Sequence, residues 1–255
     1  MDLFIAAIVV FLTHLLEGIA GFGGSVMALP FLELTIGLKT AIQILCILGW
    51  AMALYVVCRF WKSIQWKEFI YIAVWAGIGM PVGMILFDRL PAQYLCVLLG
   101  LFMIGTGMHG THKIFHPAEQ ACENENIRSS RIMRILLFCG GIIQGAFGSG
   151  GPFIVIYAAK ALPQKTLFRV TLSLFWLTAN TCRLATWSVQ KTIWNTHNFI
   201  LLAIIFPVMI AGFMVGDYLH RKVSERHFRI GVYTLLTVSG LFMLANNLRL
   251  ILIQR

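Results

Sequence analysis

The sequence predicts an all-α polytopic membrane protein made of two related halves, and three observations carry that expectation. The 255-residue chain is 59% hydrophobic and 12% charged, with a mean hydropathy of +0.83. A soluble domain is about a quarter charged, so this chain could not cover its apolar surface in water. Long stretches free of Asp, Glu, Lys and Arg recur along the sequence, each near the roughly 20 residues that a spanning helix needs. Finally, two clusters of glycine interrupt apolar segments at corresponding places in the two halves.

In chain order, the first apolar segment is Leu3–Leu32, which holds Glu17. It is followed by Thr40–Cys58, Phe69–Phe87, Leu90–His112, Ile135–Ala159, Val170–Gln190 with Arg183 inside it, Thr192–Gly216 and Ile230–Leu248. Met1-Asp2-Leu3 brings no basic region or small-residue cleavage site, so the first segment is expected to be retained. The six cysteines form no CxxC pair and are expected to act as small apolar residues. His109, His112 and His116 share a helix face, but no carboxylate completes a metal shell, and no metal or cofactor is expected. The net charge of +10 suits basic cytoplasmic loops better than a nucleic-acid interface.

The most polar stretch, 112–134, is expected to be a cytoplasmic linker between a first membrane repeat, 1–111, and a second, 135–255. Across it, Glu17-Gly-Ile-Ala-Gly-Phe-Gly-Gly24 aligns with Gln144-Gly-Ala-Phe-Gly-Ser-Gly-Gly151. Lys39-Thr40 falls opposite Lys165-Thr166, Trp50 opposite Trp176, and Gly79/Gly83 opposite Gly212/Gly216. An ordered series of this kind points to an internal repeat.

Eight plain crossings divide the basic residues almost evenly, which would leave the positive-inside rule silent. If each glycine-broken segment instead dips in and returns, each half makes three crossings and the halves are inverted. The cytoplasmic side then collects fourteen Lys and Arg against five outside. That asymmetry favours the inverted arrangement.

Gly21-Phe22-Gly23-Gly24-Ser25 and Gly148-Ser149-Gly150-Gly151-Pro152 are the sharpest chemical signal. Each glycine weakens a helix by about 1 kcal/mol and lets the backbone turn. Pro152 suits the first turn of a new helix, and Ser25 suits an N-cap. Two broken helices would offer N–H groups to an anion near the midplane. On that reading Gly23, Gly24, Ser25, Ser149, Gly150 and Gly151 are candidate donors.

The segment Glu17–Pro30, with Gly18, Gly21, Gly23-Gly24 and Pro30, resembles the signature of the TauE/SafE sulfite exporter family. The repeat at Gly145–Phe153, the two later glycine pairs and a polar Asn180–Arg183 helix fit the same pattern. The resemblance implies an inner-membrane permease for small sulfur-containing anions or organic acids. In two places the repeats differ: Gln144 stands opposite Glu17, and Pro152 opposite Ser25.

Asn180 and Arg183 lie one turn apart, and an intramembrane arginine is costly unless it is paired or wet. Its fork suits sulfonate, sulfite or carboxylate oxygens, with Asn180 orienting the ligand. His14 and Glu17 are spaced the same way. Among carboxylates only Glu17 lies deep in these stretches, since Asp88 and Asp217 sit at segment ends. Withdrawal from water favours its neutral form, which makes the pair a candidate for proton coupling. No catalytic signature is present: Met214 replaces the first glycine of a Gly-x-Gly-Asp motif, and Phe147 that of Gly-x-Ser-Gly.

The expected function is secondary, non-enzymatic transport of a small anion by alternating access. The expected partners are the anion and the lipid bilayer, not nucleic acid, with a homo-oligomer left open. Two other readings suit the same residues: a cation or metal permease using Glu17 and the histidines, and a non-transporting accessory protein.

The charge split places both termini outside and the 112–134 linker inside. In a cysteine-free background, a cysteine in the linker should resist an impermeant external label while one at the C-terminus reacts. A labelled linker with a protected C-terminus would reverse the orientation.

Overall fold

The computed structural model describes residues 2–20, 24–115, 131–148, 151–162, 164–190, 196–219 and 225–253. Within them the chain is helical: α1 (Asp2–Ala20), α2 (Gly24–Ile36), α3 (Leu38–Phe60), α4 (Trp66–Arg89) and α5 (Ala92–Phe115) in the first half. They are followed by α6 (Arg131–Phe147), α7 (Gly151–Ala161), α8 (Lys165–Val189), α9 (Thr196–Leu219) and α10 (Glu225–Ile253) in the second half. A single 3-10 turn, Trp61–Ser63, joins α3 to α4. Both glycine-bearing segments are therefore split into two helices, as their composition predicts.

Among the described residues, Leu38–Ser63, Trp66–Arg89, Ala92–His112 and Asn198–Leu219 are long and apolar enough to cross a membrane. Their outward faces are apolar as well. Phe4, Ile8 and Leu12 form an exposed stripe at helical spacing on α1, and Ile70, Val74, Ile78 and Ile85 do so on α4. Such stripes would be unfavourable in water and match a hydrocarbon solvent.

The chain packs into two compact units, and each unit draws on both halves. One comprises Met1–Ala41, Leu90–Asn124 and Pro207–Arg255; the other comprises Ile42–Arg89 and Glu125–Phe206. A packed unit is thus a different division from the sequence repeat.

In the second unit α6 lies alongside α4 with almost no side chain between them. A Cβ on Gly79 would strike the carbonyl oxygen of Phe138, one on Gly83 that of Ile142, and one on Gly145 that of Met80. Small residues allow this approach where lipid gives helices no hydrophobic reason to associate. In the first unit the same contacts recur between α1 and α9. Gly212 meets the carbonyl of Phe11, Gly216 that of Leu15, and Gly18 that of Phe213. These pairs match at constant offsets once Glu17 is aligned with Gln144 and Gly79 with Gly212. The first half's α4 packs on the second half's α6, and the second half's α9 on the first half's α1.

Helices α5 and α10 pack on one another in the first unit. Gly100 faces the Gly240 carbonyl and Gly240 faces the Gly100 carbonyl, while Gly107 faces Tyr233 and Thr237. Positions later on α5 meet positions earlier on α10, so these fifth helices of the two halves run antiparallel.

Both glycine breaks reverse the chain. A straight helix would place position 24 about 16 Å beyond Thr13. Instead, a Cβ on Gly24 would lie 3.1 Å from the Thr13 carbonyl. At the second break, Tyr157 of α7 stacks on Tyr71 at a centroid distance of 5.3 Å. Its hydroxyl donates to Glu68 Oε2 at 2.7 Å. Both partners precede Gly79, which faces Phe138 early in α6, so α7 has turned back toward the start of α6. Ile154, Tyr157 and Ala158 of α7 share a buried cluster with Met133 and Leu137 of α6.

The close contacts generate a contrast between glycines of one helix. Nothing lies within 4 Å of a Cβ on Gly77. Gly83→Ala should destabilise by about 1–3 kcal/mol, as overpacking does, whereas Gly77→Ala should leave the thermal midpoint unchanged or slightly raised. Equal midpoints for the two variants would refute the packing role of Gly83.

Candidate functional site

The second break carries the more elaborate polar chemistry. Gly148 ends α6 with φ of 67°, a left-handed conformation that glycine adopts without a Cβ penalty. Its N–H donates to the Gln144 carbonyl at 2.9 Å. Arg183 Nη1 reaches the same carbonyl at 3.4 Å, and the Gln144 side-chain amide donates to Asn180 Oδ1 at 3.0 Å. The structure thus brings Asn180 and Arg183 together on α8, as their spacing predicts, and joins both to the last turn of α6.

Arg183 is only 2% exposed. Its guanidinium lies 5.0 Å from the Phe87 ring centroid and 4.3 Å from that of Trp187. Those rings meet each other at 5.7 Å, forming an aromatic corner that favours a cation. The Arg183 Nε–H has no hydrogen-bond partner among the described residues, which is costly for a buried charged donor. A narrow cleft beside it is lined by Met84, Phe87, Asp88, Arg183, Thr186 and Trp187.

The first break carries a different pair. His14 is fully buried, and its Nδ1 lies 2.9 Å from the Val10 carbonyl. A carbonyl only accepts, so Nδ1 carries the proton, and Nε2 of the neutral ring is a bare acceptor. That Nε2 lacks a hydrogen bond and sits 3.7 Å from Glu17 Oε2. Gly24 packs directly on Glu17: a Cβ there would strike Oε2. Ser25 lies inside the first turn of α2, which begins at Gly24, so it does not occupy the N-cap. Gly151 opens α7. Gly23, Ser149 and Gly150 lie outside the described residues.

Several polar and aromatic contacts escaped the sequence reading. Glu33 of α2, one residue past the first apolar stretch, accepts from Cys96 Sγ at 3.2 Å and Asn247 Nδ2 at 3.1 Å. Glu17 therefore shares the helical interior with a second half-buried carboxylate. The Gln144 pairing and the Phe87–Trp187 corner have no local signature. Asp88 reads as a segment end, yet it lines the Arg183 cleft. His109 and His112 are exposed, His116 is outside the described residues, and no metal-binding group of three His, Cys, Asp or Glu occurs among those described.

The family model for the sulfite exporter TauE/SafE matches residues 6–243. The chain belongs to the TauE/SafE family. It is 24% identical over 256 residues to a probable membrane transporter protein of Methanocaldococcus jannaschii, covering 93% of each chain. It is 20% identical over 180 residues to the probable inner membrane transporter protein TsaS of Comamonas testosteroni, covering 71% of this chain and 72% of that one. No solved structure matches. This TauE/SafE member is a multi-pass membrane transporter protein, as its apolar helices and both relatives agree.

Proposed function

We propose that the protein is a secondary permease of the cell inner membrane that moves a small anion, such as sulfite, an organosulfonate or a related organic acid, by alternating access. The carrying observation is Arg183: a buried guanidinium with an unpartnered Nε–H, placed beside a helix break. An oxyanion would meet that donor as part of a charge-assisted fork. Asn180, oriented by Gln144, and the N–H groups of Gly150 and Gly151 would complete its shell, with the Ser149 hydroxyl. Gly23, Gly24 and Ser25 are the corresponding donors of the first repeat.

The halves, 1–111 and 135–255 about a cytoplasmic linker at 112–134, act as inverted repeats. Two observations support this: the matched glycine contacts, and the antiparallel course of α5 and α10, which are equivalent by chain order. Helix pairs that double back at glycines suit re-entrant segments, in which irregular backbone is shielded by protein. The His14–Glu17 pair carries the coupling proton. The bare Nε2 accepts it from Glu17, and the pair alternates between a neutral and an ion-paired form.

Uptake into proteoliposomes tests both roles. Arg183→Lys keeps the charge but loses the fork, so affinity should fall about tenfold, and further in Arg183→Gln. Glu17→Gln should retain exchange driven by a substrate gradient while losing acceleration by an imposed pH difference. Unchanged affinity in both Arg183 variants would assign this arginine to structure alone. Acceleration undiminished in Glu17→Gln would remove Glu17 from coupling.

A further inference from the structure

Resting on the assignment of Arg183 to the anion, we infer that the cleft beside it selects a small ligand with a single anionic group at one end and a hydroxyl or ammonium hydrogen-bond donor at the other, which Asp88 receives. The argument begins with what the cleft walls can offer. Arg183 supplies N–H donors, and its Nε–H is unpartnered and buried. Met84, Phe87 and Trp187 supply an apolar flank. The two oxygen-bearing side chains that complete the lining, Asp88 and Thr186, face a ligand only as acceptors. Thr186 has committed its single proton to the Cys182 carbonyl at 2.9 Å, leaving lone pairs. Asp88 takes one hydrogen bond from Gln190 Nε2 at 3.3 Å, leaving the rest of a carboxylate's acceptor sites.

A ligand that is an acceptor all over would satisfy Arg183 and confront Asp88 with like charge. A dianion does worse, because the cleft holds one positive and one negative side chain and has no net charge to set against it. A ligand with an anionic end and an O–H or N–H at the other satisfies both walls. Its short carbon linker lies on the aromatic and methionine flank. No ion pair of 4 Å or less joins Arg183 to Asp88 among the described residues, so the guanidinium keeps an N–H for a ligand. Asp88 is itself exposed at the end of α4, where an entering ligand would meet it first. A hydrogen bond to a charged acceptor favours the donor-bearing ligand by about tenfold.

The experiment is isothermal titration of the full chain in lipid nanodiscs with matched pairs: acetate against hydroxyacetate, and methanesulfonate against 2-hydroxyethanesulfonate and 2-aminoethanesulfonate. Sulfate serves as the dianion. The donor-bearing members should bind about tenfold tighter than their parents, and sulfate should bind weakest. Both Asp88→Asn and Asp88→Ala should shrink the preference to about twofold or less while improving sulfate. The hydroxyl and amino probes distinguish which donor Asp88 receives. Equal affinity within every pair, with all binding lost in Arg183→Gln, would overturn this inference and leave the anion site standing. Binding of none of the probes to the wild type would remove the anion site and this inference together. A preference that survives in both Asp88 variants would transfer the acceptor role away from Asp88.

Discussion

Backbone contact between helices, made possible by glycine, is the constraint on which the remaining structure depends. Inside a membrane the apolar surfaces of helices gain little by leaving lipid for one another, so close packing must supply the attraction. Along α4 and α6 the approach is close enough that Gly79, Gly83, Gly141 and Gly145 each lie against a backbone carbonyl. This contact sets the register of two helices that the chain brings together from opposite sides of its polar centre. One turn beyond Gly83, α4 presents Phe87 and Asp88. At the matching level α6 presents Gln144 and then ends at Gly148. The placement of Arg183 follows, because α8 buries its guanidinium where an aromatic corner and the Gln144 carbonyl are held together.

The two glycine breaks share a backbone plan and differ in their side chains. The alignment that pairs Glu17 with Gln144 also pairs His14 with Gly141. At Gly141 a Cβ would strike the Ala76 carbonyl, so the second repeat has no room there for an imidazole. At the equivalent place the first repeat buries His14 against Glu17. One break thus holds a histidine and a carboxylate, and the other holds an amide and an arginine. The helix contacts around the two breaks nonetheless correspond position by position.

Polar groups within the helical interior are mostly held in specific pairs. Asn198 donates to Gln43 at 3.2 Å, Asn247 and Cys96 converge on Glu33, and Tyr157 reaches Glu68. Unpaired, such groups would be expensive in a medium that cannot solvate them. Against that background His14 Nε2 and Arg183 Nε–H are buried with no hydrogen-bond partner among the described residues. Each lies beside a helix break.

The sequence by itself determined the fold class, the helices and the breaks at both glycine clusters. Those features are written in one dimension: apolar run length and the helix-weakening effect of glycine. It also singled out Asn180, Arg183, His14 and Glu17, because polar groups are conspicuous in apolar segments. Tertiary structure alone decided that α6 packs on α4 and α1 on α9, that Gln144 serves Asn180, and that Phe87, Trp187 and Asp88 surround the Arg183 cleft. These depend on which faces of sequence-distant helices meet and at what register. That register follows from the shape of the packed surfaces, which no local pattern of residues encodes.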